Sequence, residues 1–362
     1  MKDNGEKEEI VRHIALDFSP LEVREVQIEP LGSGNINDSF LLTPSGQGPQ
    51  AVLQRINKEV FKQPQEVIEN ARTLFDHLSP KSLPLELLQP LPNRSGAWFS
   101  IDPAGEYWRA YSYLPNAQTF DFAATPKLAF EAAQAVGAFL AGLADLDPDR
   151  MHTVIPRFHD GLWRFQQFSE ALASDPVQRA GAVQDEIAFV LQEKAVFQEV
   201  ADARFPLRVV HNDTKIANIL FREKTETVLA VIDWDTAMPG AILSDFGDMV
   251  RTMATTLSED DDRYSQVALR MEYFEALVKG FVPPLKGTLL PLELRNLVLG
   301  AKWIILEQMI RFLADYLNGD TYYKIRFPDH NLVRTRNQMA LYSSLRAQEH
   351  LLQALVASAI RD

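Results

Sequence analysis

The sequence predicts an α+β protein of two lobes, with a β-rich lobe over residues 1–113 and a mainly helical lobe over residues 114–362. Short apolar segments separated by glycine and proline turns fill residues 24–56, a pattern typical of antiparallel strands. After Pro115, apolar residues recur at helical spacing instead. A chain of 362 residues is long enough for about two domains, so this change in pattern predicts the boundary between them.

Individual elements follow from the same patterns. The segments that predict strands in the first lobe are REVQIEPL, SFLLT and AVLQRI, followed by a hairpin of AWFSID and EYWRAYSYL. A helix is predicted over residues 64–79, where a proline suits the first turn. In the second lobe, helices are predicted over 126–146, 161–174 and 184–200, and again from about Leu243 to the end. Two strand-like runs, LRVVH and TVLAVIDWD, interrupt them.

Composition excludes several classes of function. The 36 basic and 49 acidic residues give a net charge of −13, which argues against general nucleic-acid binding, because neutralising phosphates requires a basic surface. Cysteine is absent, which excludes disulfides, thiolate metal sites and a cysteine nucleophile. The charged N-terminal segment and the lack of a long apolar run predict a soluble, cytoplasmic protein without a membrane partner. The oligomeric state is left open.

The segment VVHNDTKIANILF has the form H-x-D-x-x-x-x-N, with His211, Asp213 and Asn218, and is followed by a short apolar strand that ends in Asp233. Phosphoryl transfer uses a carboxylate that orients the attacking hydroxyl and accepts its proton. It also uses oxygen ligands that hold Mg²⁺ on the phosphates. We therefore predict that Asp213 is the catalytic base, that Asn218 and Asp233 are the metal ligands, and that His211 braces the loop.

Upstream, the loop GSGNINDSF lies between two predicted strands, and its residues Gly32, Ser33, Gly34 and Asn35 are candidates for binding phosphate through backbone amides. A lysine that pairs with the α- and β-phosphates is expected on the next strand, but AVLQRI has none. Because side chains alternate along a strand, Gln54 and Arg55 cannot both face the nucleotide. The cation, Arg55, is the predicted choice, with Glu66 or Glu69 of the following helix as its partner.

A second acidic string, SDFGD at residues 244–248, contains a literal D-F-G. Its Asp245 lies 27 residues after Asn218 (245 − 218), and no apolar strand immediately precedes the string. We therefore interpret Asp245 as a structural acid, either a helix cap or a partner of the catalytic loop, and not as a metal ligand.

Taken together, these motifs resemble those of the aminoglycoside phosphotransferase and choline kinase superfamily, and within it most closely the N-acetylhexosamine 1-kinases. The strings that carry this resemblance are GSGNINDSF, VLQRIN, IPRFHD, HNDTKIANILF, VIDWDTAMPG, DFGDMVR and RFLADYLNGDTYYKI. The resemblance implies a two-lobed protein-kinase-like fold, a requirement for ATP and Mg²⁺, and transfer of the γ-phosphate to the anomeric hydroxyl of an amino sugar, GlcNAc or GalNAc. It also implies that Arg311 and Tyr322 contact the sugar.

Two other functions stay open on the sequence alone. The acidic net charge would suit a cationic small-molecule acceptor such as an aminoglycoside, choline or another amino alcohol. The missing lysine would also be compatible with a catalytically inactive nucleotide-binding protein of the same fold. Acidic residues lining the acceptor pocket would favour a cationic acceptor, whereas Arg311 and Tyr322 pointing into that pocket would favour a sugar.

Overall fold

The computed structural model describes residues 2–18, 25–31, 36–45 and 48–361. An antiparallel sheet occupies the N-terminal part, and helices dominate the C-terminal part, so the predicted two-lobed α+β class is confirmed. Among the described residues, no helix combines the length and the apolar character needed to cross a membrane.

The N-terminal sheet contains six strands in the order β1-β2-β3-β6-β4, with β5 also paired to β6. Their bounds are β1 (Val26–Pro30), β2 (Asp38–Pro44), β3 (Ala51–Arg55), β4 (Pro90–Leu91), β5 (Ser100–Ile101) and β6 (Tyr107–Ser112). The bounds of the two helices in this lobe are α1 (Lys2–Asp17) and α2 (Pro64–Leu78). Helix α1, which the sequence analysis does not predict, packs Ile14 and Ala15 against Leu53 and Trp108 on one face of the sheet.

Strand register determines which side chains share the other face. Gln54 of β3 pairs with Ser39 on one side and with Arg109 on the other, whereas Arg55 pairs with Asp38 and Trp108. Because neighbouring residues of a strand point to opposite faces, Arg55 shares the face that carries Leu53 and Trp108. Gln54 and Arg109 therefore lie together on the face opposite α1.

The C-terminal lobe is built from nine helices and two small sheets within the described residues. The helix bounds are α3 (Pro126–Gly142), α4 (Gly161–Ser174), α5 (Gln184–Glu193), α6 (Ala195–Ala203), α7 (Leu243–Met253), α8 (Met271–Phe281), α9 (Pro291–Arg295), α10 (Leu297–Leu317) and α11 (His330–Arg361). The strand bounds are β7 (Ala117–Gln118), β8 (Arg208–Val210), β9 (Ile219–Arg222), β10 (Val228–Val231) and β11 (Met238–Gly240). The sheets run β10-β9-β7 and β11-β8.

Helices α7 and α10 cross at unusually close range. A Cβ atom added to Gly247 of α7 would lie 2.4 Å from the carbonyl oxygen of Gly300 in α10. Any larger residue would push the two helices apart, so the glycine of the DFG-like string has a packing role. The crossing fixes α7, and with it Asp245, under the catalytic loop.

Two helix boundaries test the sequence analysis. The single helix predicted over 184–200 is divided into two helices, α5 and α6, that meet at Lys194. The end predicted near Asn318 and Gly319 is confirmed, because α10 stops at Leu317 and Gly319 has a φ of 89°. A left-handed glycine is a common way for a helix to end.

Candidate active site

The candidate catalytic loop, residues 211–218 between β8 and β9, is held by the buried carboxylate of Asp245. The backbone N–H groups of His211 and Asn212 donate to the two carboxylate oxygens at 2.9 and 2.6 Å, and the Thr214 hydroxyl donates to the Asp245 carbonyl at 2.7 Å. Burial raises the pKa of Asp245 to about 6. Asp245 is thus a partner of the catalytic loop, as predicted for a structural acid.

His211 lies fully buried beneath this loop. Its Nε2 lies 2.9 Å from the Ile232 carbonyl oxygen, and its Nδ1 accepts the backbone N–H of Asp213 at 3.3 Å. A carbonyl can only accept and the Asp213 N–H can only donate, so the partners assign a neutral ring with its proton on Nε2. The geometry makes His211 a brace that fixes the backbone of Asp213.

Asp213 lies in a group of side chains that keep its carboxylate ionised. Lys215 Nζ donates to Asp213 Oδ2 at 2.7 Å, and Asn218 Nδ2 donates to the same oxygen at 3.0 Å. Burial opposes ionisation, but the Lys215 ammonium and these hydrogen bonds outweigh it and lower the pKa of Asp213. A carboxylate that is ionised at neutral pH can orient a hydroxyl and accept its proton.

Asn218 and Asp233 lie at the ends of paired strands. The Ile232 N–H donates to the Asn218 carbonyl at 2.9 Å, which joins the residue before Asp233 to Asn218. Asn218 directs its amide nitrogen to Asp213, so its amide oxygen is left for another partner. Asp233 has a left-handed backbone with a φ of 62°, and its side chain is exposed. A strained backbone at a non-glycine residue is typical of functional sites.

The charge around Asp233 suits a cation. Partial desolvation by the surrounding protein atoms, followed by the negative charges of Asp235 and Asp213, raises the pKa of Asp233 to about 6. No group of three or more His, Cys, Asp or Glu among the described residues is arranged to hold a metal. Mg²⁺ is commonly bound by one or two protein oxygens together with substrate phosphates, and Asn218 Oδ1 and Asp233 fit that requirement.

Above these residues, the N-terminal sheet contributes a buried network around Asp235. Arg109 forms an ion pair with Asp235, and Asn37 Nδ2 donates to the same carboxylate at 2.6 Å. Arg109 also donates from Nε and Nη2 to Gln54 Oε1 at 3.2 and 2.9 Å. This network joins the two lobes at the turn that carries Asp233.

Arg55 has different surroundings. Its Nε donates to Asp38 at 2.9 Å, and both side chains are about half exposed. The expected partners Glu66 and Glu69 are wrong, because Glu69 lies 2.8 Å from His152 and Glu66 lies 4.0 Å from the same ring. The predicted phosphate-binding residues Gly32, Ser33, Gly34 and Asn35 lie outside the described residues.

Comparison with known proteins decides the family. Residues 27–277, most of the chain, match the phosphotransferase enzyme family. The chain belongs to this family. The wider resemblance found in the sequence is thereby confirmed, and the catalytic loop, Asp233 and Asp235 all lie within the matched range.

Solved structures of phosphotransferases share the fold. A microcompartment-associated aminopropanol kinase superimposes with a TM-score of 0.65 at 15% identity, covering 95% of this chain and 98% of that one. An aminoglycoside phosphotransferase from Alicyclobacillus acidocaldarius gives 0.59 at 13% identity, covering 92% and 95%. A choline/ethanolamine kinase family protein from Mesorhizobium loti gives 0.53 at 16% identity over the full length of both chains. At these identities the likeness is one of fold.

In this phosphotransferase, Arg311 lies near two aromatic side chains, and one of them, Phe158, precedes a residue that contacts the loop. Its guanidinium lies 5.5 Å from the ring of Phe158 and 5.7 Å from that of Tyr323, and it donates to Gln308 at 3.1 Å. His159, which follows Phe158 in the chain, has its Nε2 atom 3.4 Å from the Asn212 carbonyl oxygen of the loop. Tyr322 is 65% exposed and packs edge-on against Tyr323 at 4.9 Å. The structure therefore places Tyr323 in contact with both Arg311 and Tyr322, and it connects Arg311 to the loop through Phe158 and His159.

A buried acid holds the segment that carries these tyrosines. Asp315 of α10 accepts the backbone N–H groups of Thr321, Tyr322 and Tyr323 at 2.8 to 2.9 Å. This arrangement fixes the chain directly after the helix end.

The sequence patterns did not identify Lys215 as part of the site and did not connect Arg109 with Asp235. Lys215 lies two residues after Asp213, so its proximity is a local signal that could have been read from the motif. Arg109 has no such signal, because its contact with Asp235 joins positions 126 residues apart in the chain.

Proposed function

We propose that this phosphotransferase transfers the γ-phosphate of ATP to the anomeric hydroxyl of an N-acetylhexosamine, GlcNAc or GalNAc. The observation that carries the choice of acceptor is the group of Arg311, Tyr322 and Tyr323 beside the catalytic loop. Aromatic faces and a guanidinium suit a neutral, hydroxyl-rich ligand. The sequence resemblance to N-acetylhexosamine 1-kinases supports the same choice.

Charge in this neighbourhood disfavours a cationic acceptor. Arg164 lies close enough to Arg311 for the two positive charges to interact. Glu307, an acid in the same neighbourhood, is buried, and its two oxygens pair with His159 at 2.8 Å and Trp303 at 3.0 Å. Both Glu307 oxygens therefore already have partners within the protein. An ammonium group of an acceptor would lie mainly near the guanidinium groups of Arg164 and Arg311.

In this proposal Asp213 orients the acceptor hydroxyl and receives its proton as the hydroxyl oxygen attacks phosphorus. His211 and Asp245 keep the Asp213 backbone in position, and Lys215 supplies positive charge beside it. Mg²⁺ bound by Asn218 Oδ1 and Asp233 would supply positive charge to the phosphate oxygens. The catalytic carboxylate is already ionised in the protein, so no prior deprotonation is needed at neutral pH.

The test measures ATP consumption with Mg²⁺ against GlcNAc, GalNAc, glucose, galactose, choline, ethanolamine, aminopropanol and kanamycin. We expect turnover with an N-acetylhexosamine and a product whose reducing end is blocked. The Asp213→Asn protein is the matched control, which must lose this turnover. Turnover only with the amines would overturn the sugar assignment and leave the catalytic residues in place.

A further inference from the structure

The face of the N-terminal sheet opposite α1 carries one deeply buried guanidinium. Arg109 is only 3% exposed and is the cross-strand neighbour of Gln54, a residue of the strand on which a phosphate-binding lysine was expected. Gln54 accepts two hydrogen bonds from Arg109, and Asp235 forms the ion pair. The guanidinium is thus held by residues from both lobes.

The remaining nitrogen of this guanidinium is the second observation. Arg109 Nη1 is buried and has no hydrogen-bond partner within the described part of the chain. A buried N–H without an acceptor is unfavourable, and buried polar groups of this kind in native proteins call for a partner. An anionic oxygen would complete the guanidinium, whereas an apolar or cationic ligand would not.

Other nearby cations have their own acceptors. Arg55 lies on the opposite face and pairs with Asp38. Lys58 donates to the Gly105 carbonyl at 2.9 Å and pairs with Glu106 at 2.8 Å. Lys215 pairs with Asp213 beneath the cleft.

We propose that Arg109, not Arg55, is the cation that binds the phosphate chain of the nucleotide, with Gln54 and Asp235 holding its guanidinium. The inference rests on the proposed ATP-dependent function and deepens it. Arg109 Nη1 donates to a phosphate oxygen, while Nε and Nη2 keep their contacts to Gln54 and Asp235. The turn that offers Asp233 to Mg²⁺ therefore also anchors the cation on the phosphates.

Nucleotide binding tests this assignment without requiring a known acceptor. Calorimetric titrations with adenosine, ADP and ATP are made on the full chain and on Arg109→Gln, Arg109→Lys and Arg55→Gln. A hydrogen bond to a charged group corresponds to a loss of about 10- to 150-fold. We expect Arg109→Gln to lose ADP and ATP affinity in this range and to keep its adenosine affinity. Arg55→Gln should bind all three ligands as the wild type does.

The Arg109→Lys variant keeps the test valid if Arg109→Gln does not fold. Arg109→Gln leaves Asp235 buried without its partner, which can destabilise the fold, whereas Arg109→Lys keeps the charge but lacks the planar fork needed to contact two groups at once. Arg109→Lys should therefore fold, bind adenosine normally and show a smaller loss with ADP.

Four results separate the hypotheses. Unchanged ADP affinity in both Arg109 variants would overturn the inference and leave the proposed function intact. An equal loss of adenosine and ADP affinity would show a purely structural role and overturn it as well. Restoration of ADP affinity by adding Gln54→Lys to Arg109→Gln would support it strongly, because the cation would return on the same face. A wild-type protein that binds neither ADP nor ATP would refute the proposed function itself.

Discussion

The raised pKa of Asp233 predicts that this candidate metal ligand destabilises the ligand-free protein. Between the unfolded pKa of 3.8 and the folded pKa of about 6, the folded state binds a proton that the unfolded state has lost. Stability must therefore fall as pH rises through this range and stay lowered above it. Asp233→Asn removes the charge and should make the ligand-free protein more stable at neutral pH.

The magnitude follows from the same shift. A rise from 3.8 to about 6 corresponds to roughly 3 kcal/mol at full burial. Because the side chain is exposed to solvent in the cleft, screening reduces this figure, and we expect about 1 kcal/mol. In a domain-sized protein such a gain raises the melting temperature by about 2 to 4 °C.

The assay is urea unfolding of the ligand-free wild-type and Asp233→Asn proteins at several values between pH 4 and pH 8. The difference in unfolding free energy should be near zero at pH 4 and reach its full value above pH 6. Asp202→Asn, on the exposed end of α6, is the matched control and should show no such trend. A variant that is less stable than the wild type at pH 7, or equally offset at every pH, would refute the electrostatic reasoning.

Three further predictions concern the candidate catalytic loop and the segment that carries Tyr322 and Tyr323. Asp213→Asn should lower kcat by about 100- to 10,000-fold with little change in ATP affinity, and near wild-type turnover would reject Asp213 as the base. Asp245→Ala removes the acceptor of two buried N–H groups, so unfolding experiments should show a loss of about 2 to 4 kcal/mol; a change below measurement error would contradict its role under the loop. Asp315→Ala releases the backbone of Thr321 to Tyr323, and we expect the KM for the acceptor to rise by about tenfold or more while the KM for ATP stays unchanged. An equal rise in both constants would show that this segment does not act on the acceptor alone.

The sequence predicted that Asp213, Asn218 and Asp233 lie close together, because these residues belong to one short stretch of the chain. Asp213 and Asn218 belong to one loop, and Asp233 ends the strand that pairs with the strand after that loop. Backbone hydrogen bonding between neighbouring strands then brings them together without help from distant residues. The fold class could be predicted for a similar reason, because the periodicity of apolar residues in a strand or a helix is visible within a short segment.

The sequence did not predict contacts that depend on a helix or strand from another part of the chain. Alternation along β3 showed that Gln54 and Arg55 face opposite sides, but only helix α1, which packs on one of these sides, decides which residue faces the cleft. The pairing of Glu66 and Glu69 with His152 likewise depends on a contact with the other lobe. Charge type alone favoured Arg55 because a sequence does not show which face is covered.

The ion pair of Arg109 with Asp235 has a mechanical consequence for the site. In the arrangement expected from the sequence, the cation on the phosphates would be anchored by a glutamate of α2, so movement of that helix could break the pair. Here the anchoring carboxylate lies two residues after Asp233, in the same turn of the C-terminal lobe. Displacement of this turn would move the proposed metal ligand, Asp233, and the anchor of Arg109, Asp235, together. We therefore expect the proposed phosphate site to depend on the contacts that Asp235 makes with Arg109 and Asn37 of the other lobe.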